Sequence, residues 1–488
     1  MHRGDVILRG SLRSHLRMTR RDRHGRNPLS RAPQDSTHHE GGLQARAQSD
    51  KVSRGTGDSV KQDVFAKVAW RLIPFMMLLY VANFLDRVNV GFAALTMNRD
   101  LGLGAEAFGA AGGIFFLGYF FFEVPSNVIL AKAGARLWIF RIMLTWGVVS
   151  MATAFVQGLT SLLVLRFLLG VAEAGFFPGV IFYLSMWFPS AMRARFVGLF
   201  LCSISLANIV GAPLSSWILG LEGVRHLHGW QWLFLLEGLP SFLLAFAVLA
   251  FLPNGPKDAS WLSADEKAVV ADRLAAEPPR THDTLWPMLR DGRVWALAIP
   301  DFGIVLSTYG VGLWLPQIVK GLGFTTMGTG LAVAMVYVAS SIVSVLWCLS
   351  SDRRQERIRH VSLAALFGAV GLTVAAFTQG SIVCVFALAM GMAGTLAAIS
   401  VFWALPSGFL GRTAAAGGIA LINSLANLGG FAGPYLMGWL KNATGGYAVG
   451  LGVLAAGLTM TAVMILLVGR SLGFKARARS FDKFAPPV

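Results

Sequence analysis

The amino-acid sequence predicts an all-α membrane protein with twelve transmembrane helices in two pseudo-symmetric six-helix halves. Three observations carry this expectation. The 488 residues are 55% hydrophobic and only 14% charged, with a mean hydropathy of +0.60, well outside the balance of a soluble domain. Apolar runs long enough to cross a bilayer, which takes about 20 residues, recur along the chain. One long polar connection divides them into two sets.

Taken in order, residues 1–67 are rich in Arg, Ser, Gly and His and show no apolar periodicity. They read as a disordered basic tail on the cytoplasmic side, without the apolar core and cleavage site of a secretory signal. An N-terminal bundle, 68–252, holds runs near 69–95, 106–130, 138–157, 161–187, 196–220 and 230–252. Residues 253–292 form a cytoplasmic linker with a short amphipathic helix, Ser263 its N-cap and Glu266 at the capping-box position. A C-terminal bundle, 293–470, holds runs near 293–319, 327–350, 361–378, 381–405, 413–440 and 447–469, and a basic tail, 471–488, follows.

The halves echo each other. "PSAMRAR" (189–195) matches "PSGFLGR" (406–412), and "ANIVG" (207–211) matches "ANLGG" (426–430), which places Asn208 and Asn427 in equivalent fifth and eleventh helices. Two such repeats around a central site near the bilayer midplane make a transporter architecture.

The formal net charge of +17 sits in the tails and in alternate loops. Lys132, Arg136 and Arg141 follow the second run, Arg193 and Arg195 the fourth, Arg353, Arg354, Arg357 and Arg359 the eighth, and Arg412 the tenth. By the positive-inside rule these loops, and both termini, are cytoplasmic. The basic tails therefore point to the lipid bilayer as partner and not to nucleic acid. Cys202, Cys348 and Cys384 match no metal or disulfide spacing. No arrangement of nucleophile, base or metal ligands suggests an enzyme, and the tails are too short for a sensor domain.

Chemistry concentrates in the first half. Asp86 and Arg87 lie in the first span, Tyr119 and Glu123 in the second, Arg166 and Glu173 in the fourth. A charge at the bilayer centre costs about 2.5–3.5 kcal/mol even on lenient scales, so each needs a partner or a water-filled cavity. Arg166 and Glu173 are seven residues apart and share one helix face; Asn83, Asp86 and Asn89 share another, with Arg87 turned roughly 100° from Asp86. Arg87 is thus expected to face the cavity and an anion, and Asp86 to face the fourth helix within reach of Arg166. Periodicity also allows the opposite assignment, and a purely structural pairing of Asp86 with Arg166 and Arg87 with Glu173. A carboxylate beside an Arg takes up a proton when that Arg finds another anion, which would couple proton and anion movement. Glu237 reads as a structural cap at the outer end of the sixth span, while Asp301, just inside the seventh, fits a site or a surface role equally. Ser400, Trp403, Asn423 and Asn427 are the polar and aromatic groups of the tenth and eleventh spans. The first three fit substrate contacts; Asn427 fits packing.

"NFLDRVN" (83–89), "GYFFFEVPSN" (118–127), "RFLLGVAEAGFFPG" (166–179) and "WLPQIVK" (314–320) together resemble the anion:cation symporter family of the major facilitator superfamily, over about residues 66–470. The resemblance implies a major facilitator fold in the inner (plasma) membrane, working as a monomer. It also implies proton-coupled uptake of a small organic anion such as tartrate, phthalate, a sugar acid or hydroxyphenylacetate. No cofactor is implied beyond the proton gradient. By matching position, Arg87 and Tyr119 would bind the substrate carboxylate, with Ser400, Trp403 and Asn423 as contacts from the second half. Asp86 and Glu173 would handle protons, and Arg166 would tune them. The run "FLDRVNVGFAALTMNRDLGL" is most similar to the tartrate branch, with phthalate carriers close behind; exchange or uniport on the same fold is the other reading. The family's gating acid is absent from the loop at Ala131–Gly134, which leaves Asp352 and Arg353 as the expected gate. Drug efflux suits an Arg in the first helix less well than anion uptake does.

Overall fold

The computed structural model describes residues 37–276, 290–406 and 415–471. The chain divides into two units, Met1–Val60 and Lys61–Val488; of the first, residues 37–60 are helical. Residues 1–36, part of the linker (277–289), Arg412 with most of its "PSGFLGR" echo, and the last tail from 472 lie outside the described residues.

Regular structure among the described residues is helical throughout. Helix α1 spans Thr37–Asp100, so among the described residues 37–67 are helical where the sequence predicts a tail without structure. Leu43 to Gln48 are good helix formers and let the backbone ladder begin well before the apolar run. Its membrane-crossing part is Asp63–Asp100. Then come α2 (Ala105–Ala133), α3 (Ala135–Ala152), α4 (Leu159–Glu173), α5 (Phe176–Ser185), α6 (Ser190–Leu219) and α7 (Gly229–Phe251). The linker carries α8 (Ala264–Ala275), and the second half comprises α9 (Gly292–Lys320), α10 (Thr326–Arg354), α11 (Ile358–Phe377), α12 (Val383–Phe402), α13 (Ala415–Thr444) and α14 (Ala448–Ser471).

Eleven of the described helical segments are long and apolar enough to cross a membrane, α4 and α5 counting as one. The twelfth expected span is α13, 30 residues long, whose apolar character is diluted by Asn423, Ser424, Asn427 and Pro434. At about 1.5 Å per residue it has length to spare. The fourth span, expected to be continuous, breaks at Ala174–Gly175. Gly175 adopts the left-handed region (φ 89°), and a Cβ there would fall onto Ser126 Oγ of α2, so only glycine permits both the turn and the close packing.

Within the first half α2 packs on α4 and α3 on α7; within the second, α9 packs on α13 and α11 on both α12 and α14. The halves meet where α2 lies along α13 and α6 along α10, that is, second helix of one half against fifth of the other, in both senses. Small residues bring these pairs together: a Cβ on Gly113 of α2 would sit 2.7 Å from Phe431 O of α13, and one on Gly330 of α10 2.6 Å from Ala212 O of α6. Both contacts lie toward the same end of the bundle, where α1 finishes and α2 begins.

The linker helix begins as its sequence predicts. Glu266 N–H donates to Ser263 Oγ at 3.2 Å and Ser263 N–H to the Glu266 carboxylate at 2.8 Å. Lys67 at the foot of α1 donates to the same carboxylate at 2.9 Å, a hydrogen bond that holds Glu266 below the usual range for glutamate.

Candidate functional site

Asp86 and Arg87, adjacent in α1, are sent to different surroundings by the 100° step of the helix. Asp86 is 1% exposed. Its carboxylate accepts hydrogen bonds from Ser150 Oγ (2.6 Å) and Trp146 Nε1 (2.8 Å) of α3, Ser241 Oγ (2.9 Å) of α7 and Asn89 Nδ2 (3.4 Å) of its own helix. The expectation that Asp86 faces the fourth helix and Arg166 is thereby corrected. Trp146 and Ser150, four residues apart on α3, and Ser241 on α7 form a ready-made cage of donors, and a buried carboxylate is best satisfied by several fixed donors.

Arg87 faces inward. Its Nε and Nη2 donate to one oxygen of Glu173, and Nη1 donates to Tyr309 OH of α9 at 3.2 Å. The guanidinium lies 5.1 Å from the ring centre of Phe84, 5.2 Å from Phe115 and 5.4 Å from Tyr119, within reach for cation–π attraction. Glu173 closes α4 just before the Gly175 turn. It is 1% exposed, and its second oxygen has no hydrogen-bond partner among the described residues. Arg166, two turns earlier on the same face, donates to the Ala111 carbonyl at 3.3 Å and reaches the Gly112 carbonyl at 3.5 Å. Its guanidinium lies 5.2 Å from the Phe115 ring, and its Nη1 has no partner among the described residues.

Arg87 and Arg166 both line a central cavity of about 150 Å³, which Phe84, Phe115, Phe116 and Asn208 share with Tyr309, Tyr337 and Met392 of the second half. Glu173 pairs with Arg87, whereas Arg166 has no carboxylate partner among the described residues, which leaves this wall a guanidinium free to meet an anion, and a guanidinium fork suits a carboxylate.

The other expected residues lie elsewhere. Tyr119 is buried behind Arg87. Asn423 and Ser424 of α13 donate to the two oxygens of Glu123 of α2, at 3.3 and 3.4 Å, a bridge between the halves on the side of the cavity away from the Gly113 and Gly330 contacts. Ser400 turns its hydroxyl back to Leu396 O at 2.7 Å and stands 3.4 Å from Ser344 Oγ of α10. Trp403 packs edge-on against Phe402. Neither is among the residues lining the cavity: Ser400 follows the lining residue Ile399 but is turned about 100° onto an exposed face, and Trp403 lies a turn beyond Ile399, just past the end of α12. Asp352 pairs with Arg357 at 2.6 Å, while its expected partner Arg353 is exposed.

Two further readings are corrected. Glu237 is no end cap: it is 1% exposed and accepts from Ser215 Oγ of α6 at 2.7 Å. The start of α7 is held instead by Glu222, which accepts from Gly229 N–H at 2.7 Å. Asp301 is no surface group: it is fully buried, and neither carboxyl oxygen has a partner among the described residues. Tyr309 was missed, since a phenol in an apolar run gives no sign of facing a cation more than two hundred positions away.

Eleven candidate crossing segments with α13 as a twelfth long helix, in two facing sets around a small, mostly apolar cavity that carries two arginines, fit a multi-pass membrane transporter for a small molecule. The chain belongs to the Major Facilitator Superfamily, whose family model matches residues 76–434. It is 46% identical over 411 residues to a "Putative tartrate transporter" of Agrobacterium vitis, covering 84% of this chain and 92% of that one. It is 42% identical over 396 residues to a "Quinolone resistance transporter" of Acinetobacter baumannii, covering 80% and 91%. Among solved structures, a bacterial homolog of the human lysosomal transporter Spinster, in an inward-facing and occupied conformation, superposes with a TM-score of 0.67 at 15% identity, covering 82% and 96%. That likeness concerns the fold alone.

Proposed function

We propose that the protein is a proton-coupled symporter that takes up a small organic anion such as tartrate, by alternating access, across a bacterial inner membrane with both termini in the cytoplasm. The observation that carries this reading is the wall of the cavity, where Arg87 and Arg166 both stand, Arg87 paired with the buried Glu173 behind it and Arg166 meeting only backbone carbonyls among the described residues. Without substrate, Glu173 neutralises Arg87. An arriving carboxylate competes for the same fork, and Glu173, left buried without its partner, takes up a proton because an unpaired buried charge is costly. Asp86 lies one residue from Arg87 in its cage of hydroxyl and indole donors and is the second proton carrier, with Arg166 biasing both.

The cavity volume of about 150 Å³ supports a small substrate, below the roughly 300–1,000 Å³ of drug-sized sites. The name of the Agrobacterium vitis relative supports tartrate in particular. Arg87 binds the carboxylate with Tyr119 supporting its guanidinium from behind, and we assign the contact from the second half to Tyr309. Ser400, Trp403 and Asn423 would reach substrate only in another conformational state; in this one Asn423 closes the halves through Glu123. The Asp352 gate works through Arg357. The cavity lies within one chain, which supports a monomer as the working unit. The aromatic wall of Phe84, Phe115 and Phe116 favours an aromatic acid such as phthalate as the second reading.

The test is uptake of labelled tartrate and phthalate into proteoliposomes under an imposed pH gradient. Accumulation above the outside concentration that collapses with a protonophore is expected; accumulation indifferent to the proton gradient would sink the coupling claim.

A further inference from the structure

A second cavity, about 690 Å³, opens far from the central one, in a crevice between α10 and α11. One end is apolar and faces outward: Leu346 is 60% and Leu363 55% exposed, flanked by Val343 and Trp347. The other end is the short turn between the two helices, carrying Arg354, Glu356, Arg359 and His360.

Part of the charge in that turn is already committed. Glu356 accepts from the backbone N–H of Arg359 (2.8 Å) and of His360 (3.1 Å) and stands 3.0 Å from His360 Nδ1, so it serves the first turn of α11. Arg357 is held by Asp352. Trp347 is pinned by its indole N–H, which donates to His360 O at 3.0 Å. Arg354 and Arg359 remain exposed on the crevice rim, with no carboxylate within ion-pair distance among the described residues.

The geometry points to a binding site for an anionic phospholipid in this crevice, its phosphate between Arg354 and Arg359 and an acyl chain along Leu346, Trp347 and Leu363. Two unpaired guanidiniums match a phosphate diester by charge and by fork geometry. Basic clefts between transmembrane helices at the membrane boundary are where anionic headgroups are recognised, and a tryptophan at that depth suits the interface. A soluble anion would use the same guanidiniums but leave the adjoining leucines uncovered; a lipid satisfies both ends of the crevice at once. Bound there, it bridges α10 and α11 beside the Asp352–Arg357 pair.

The test uses the full chain in detergent, titrated with phosphatidylglycerol or phosphatidylcholine and read by native mass spectrometry and thermal unfolding. Phosphatidylglycerol is expected to be retained and to raise Tm, and phosphatidylcholine to do neither. The double variant Arg354→Gln/Arg359→Gln should retain about tenfold less phosphatidylglycerol. Leu346→Asn/Leu363→Asn should also lose retention with the cations intact. If the double variant does not fold, each single arginine substitution should still cost about threefold. Equal phosphatidylglycerol retention by wild type and the arginine variants, equal retention of both lipids by wild type, or displacement of the lipid by millimolar inorganic phosphate would each overturn the lipid assignment. None of these readouts depends on transport.

Discussion

The two halves share an architecture and differ in what they bury. The first half encloses Asp86, Glu123, Arg166, Glu173 and Glu237, each at most 6% exposed, with Arg87 among them, and every one has a named partner. The interior of the second half holds Asp301, whose carboxyl has none among the described residues. What the second half brings to the cavity is phenol, thioether and aliphatic surface from Tyr309, Tyr337, Met392 and Ile399. Charges survive in an apolar bundle where fixed donors surround them. The first half is therefore the chemical half, and the second is a partner surface that moves against it.

The largest effect that would break this comparison concerns Arg87. Arg87→Ala should remove substrate-dependent thermal stabilisation and reduce uptake by at least about 100-fold, since opening a buried pair costs about 3–5 kcal/mol. Arg87→Lys should recover little, because an ammonium cannot reproduce the fork. Substrate stabilisation that persisted in both variants would place the anion elsewhere. Next comes Glu173→Gln, which should preserve tartrate counterflow while reducing proton-driven accumulation about tenfold or more; full accumulation would move the coupling role to another carboxylate. Ser150→Ala removes one of four donors to Asp86 and should lower stability by about 1–3 kcal/mol in denaturant unfolding. The contrast sharpens at Asp301→Leu, where removing a buried group without a partner should raise Tm and leave uptake within about twofold. Loss of uptake there would mean that the second half has a charge of its own to use.

The smallest effect lies outside the bilayer. The backbone N–H of Gly229 holds the Glu222 carboxyl below its ordinary value of 4.5, with the His228 ring adding to the shift. A carboxylate with a depressed folded value contributes stability that is present above the ordinary value and lost as pH falls through the depressed one. Glu222→Gln should therefore differ from the parent in thermal stability at neutral pH by less than about 1 kcal/mol, with the difference shrinking as pH falls below the ordinary value of 4.5 and vanishing only below the depressed one. A difference that grew on acidification would contradict the cap.

Much of the architecture was legible because its signals are local. Span count follows from apolar length, and the linker helix from Ser263 and Glu266. The 100° step separates Asp86 from Arg87 on one turn, but periodicity alone left open which of the two faces the cavity. The break at Gly175 could have been suspected, since a glycine two residues beyond a buried acid invites a turn, yet a long apolar run hides it. Asp86's partners could not be read: Trp146, Ser150 and Ser241 are ordinary residues of two other apolar helices, and nothing in their own neighbourhoods marks them as donors. Ser400 and Trp403 show the converse, residues of fitting chemistry, one turned onto another face of α12 beside Ile399 and the other a turn beyond it.

The sequence by itself determined what must be buried, since hydropathy and helical periodicity act over a few turns of one helix. It placed six ionisable residues in the first half and required each to find a partner. Only the tertiary structure decided which partner. Glu173 meets Arg87, hydroxyls and an indole meet Asp86, and Tyr309 crosses from the other half, because these choices depend on how helices far apart in the chain approach one another through their glycines, a geometry no local pattern encodes.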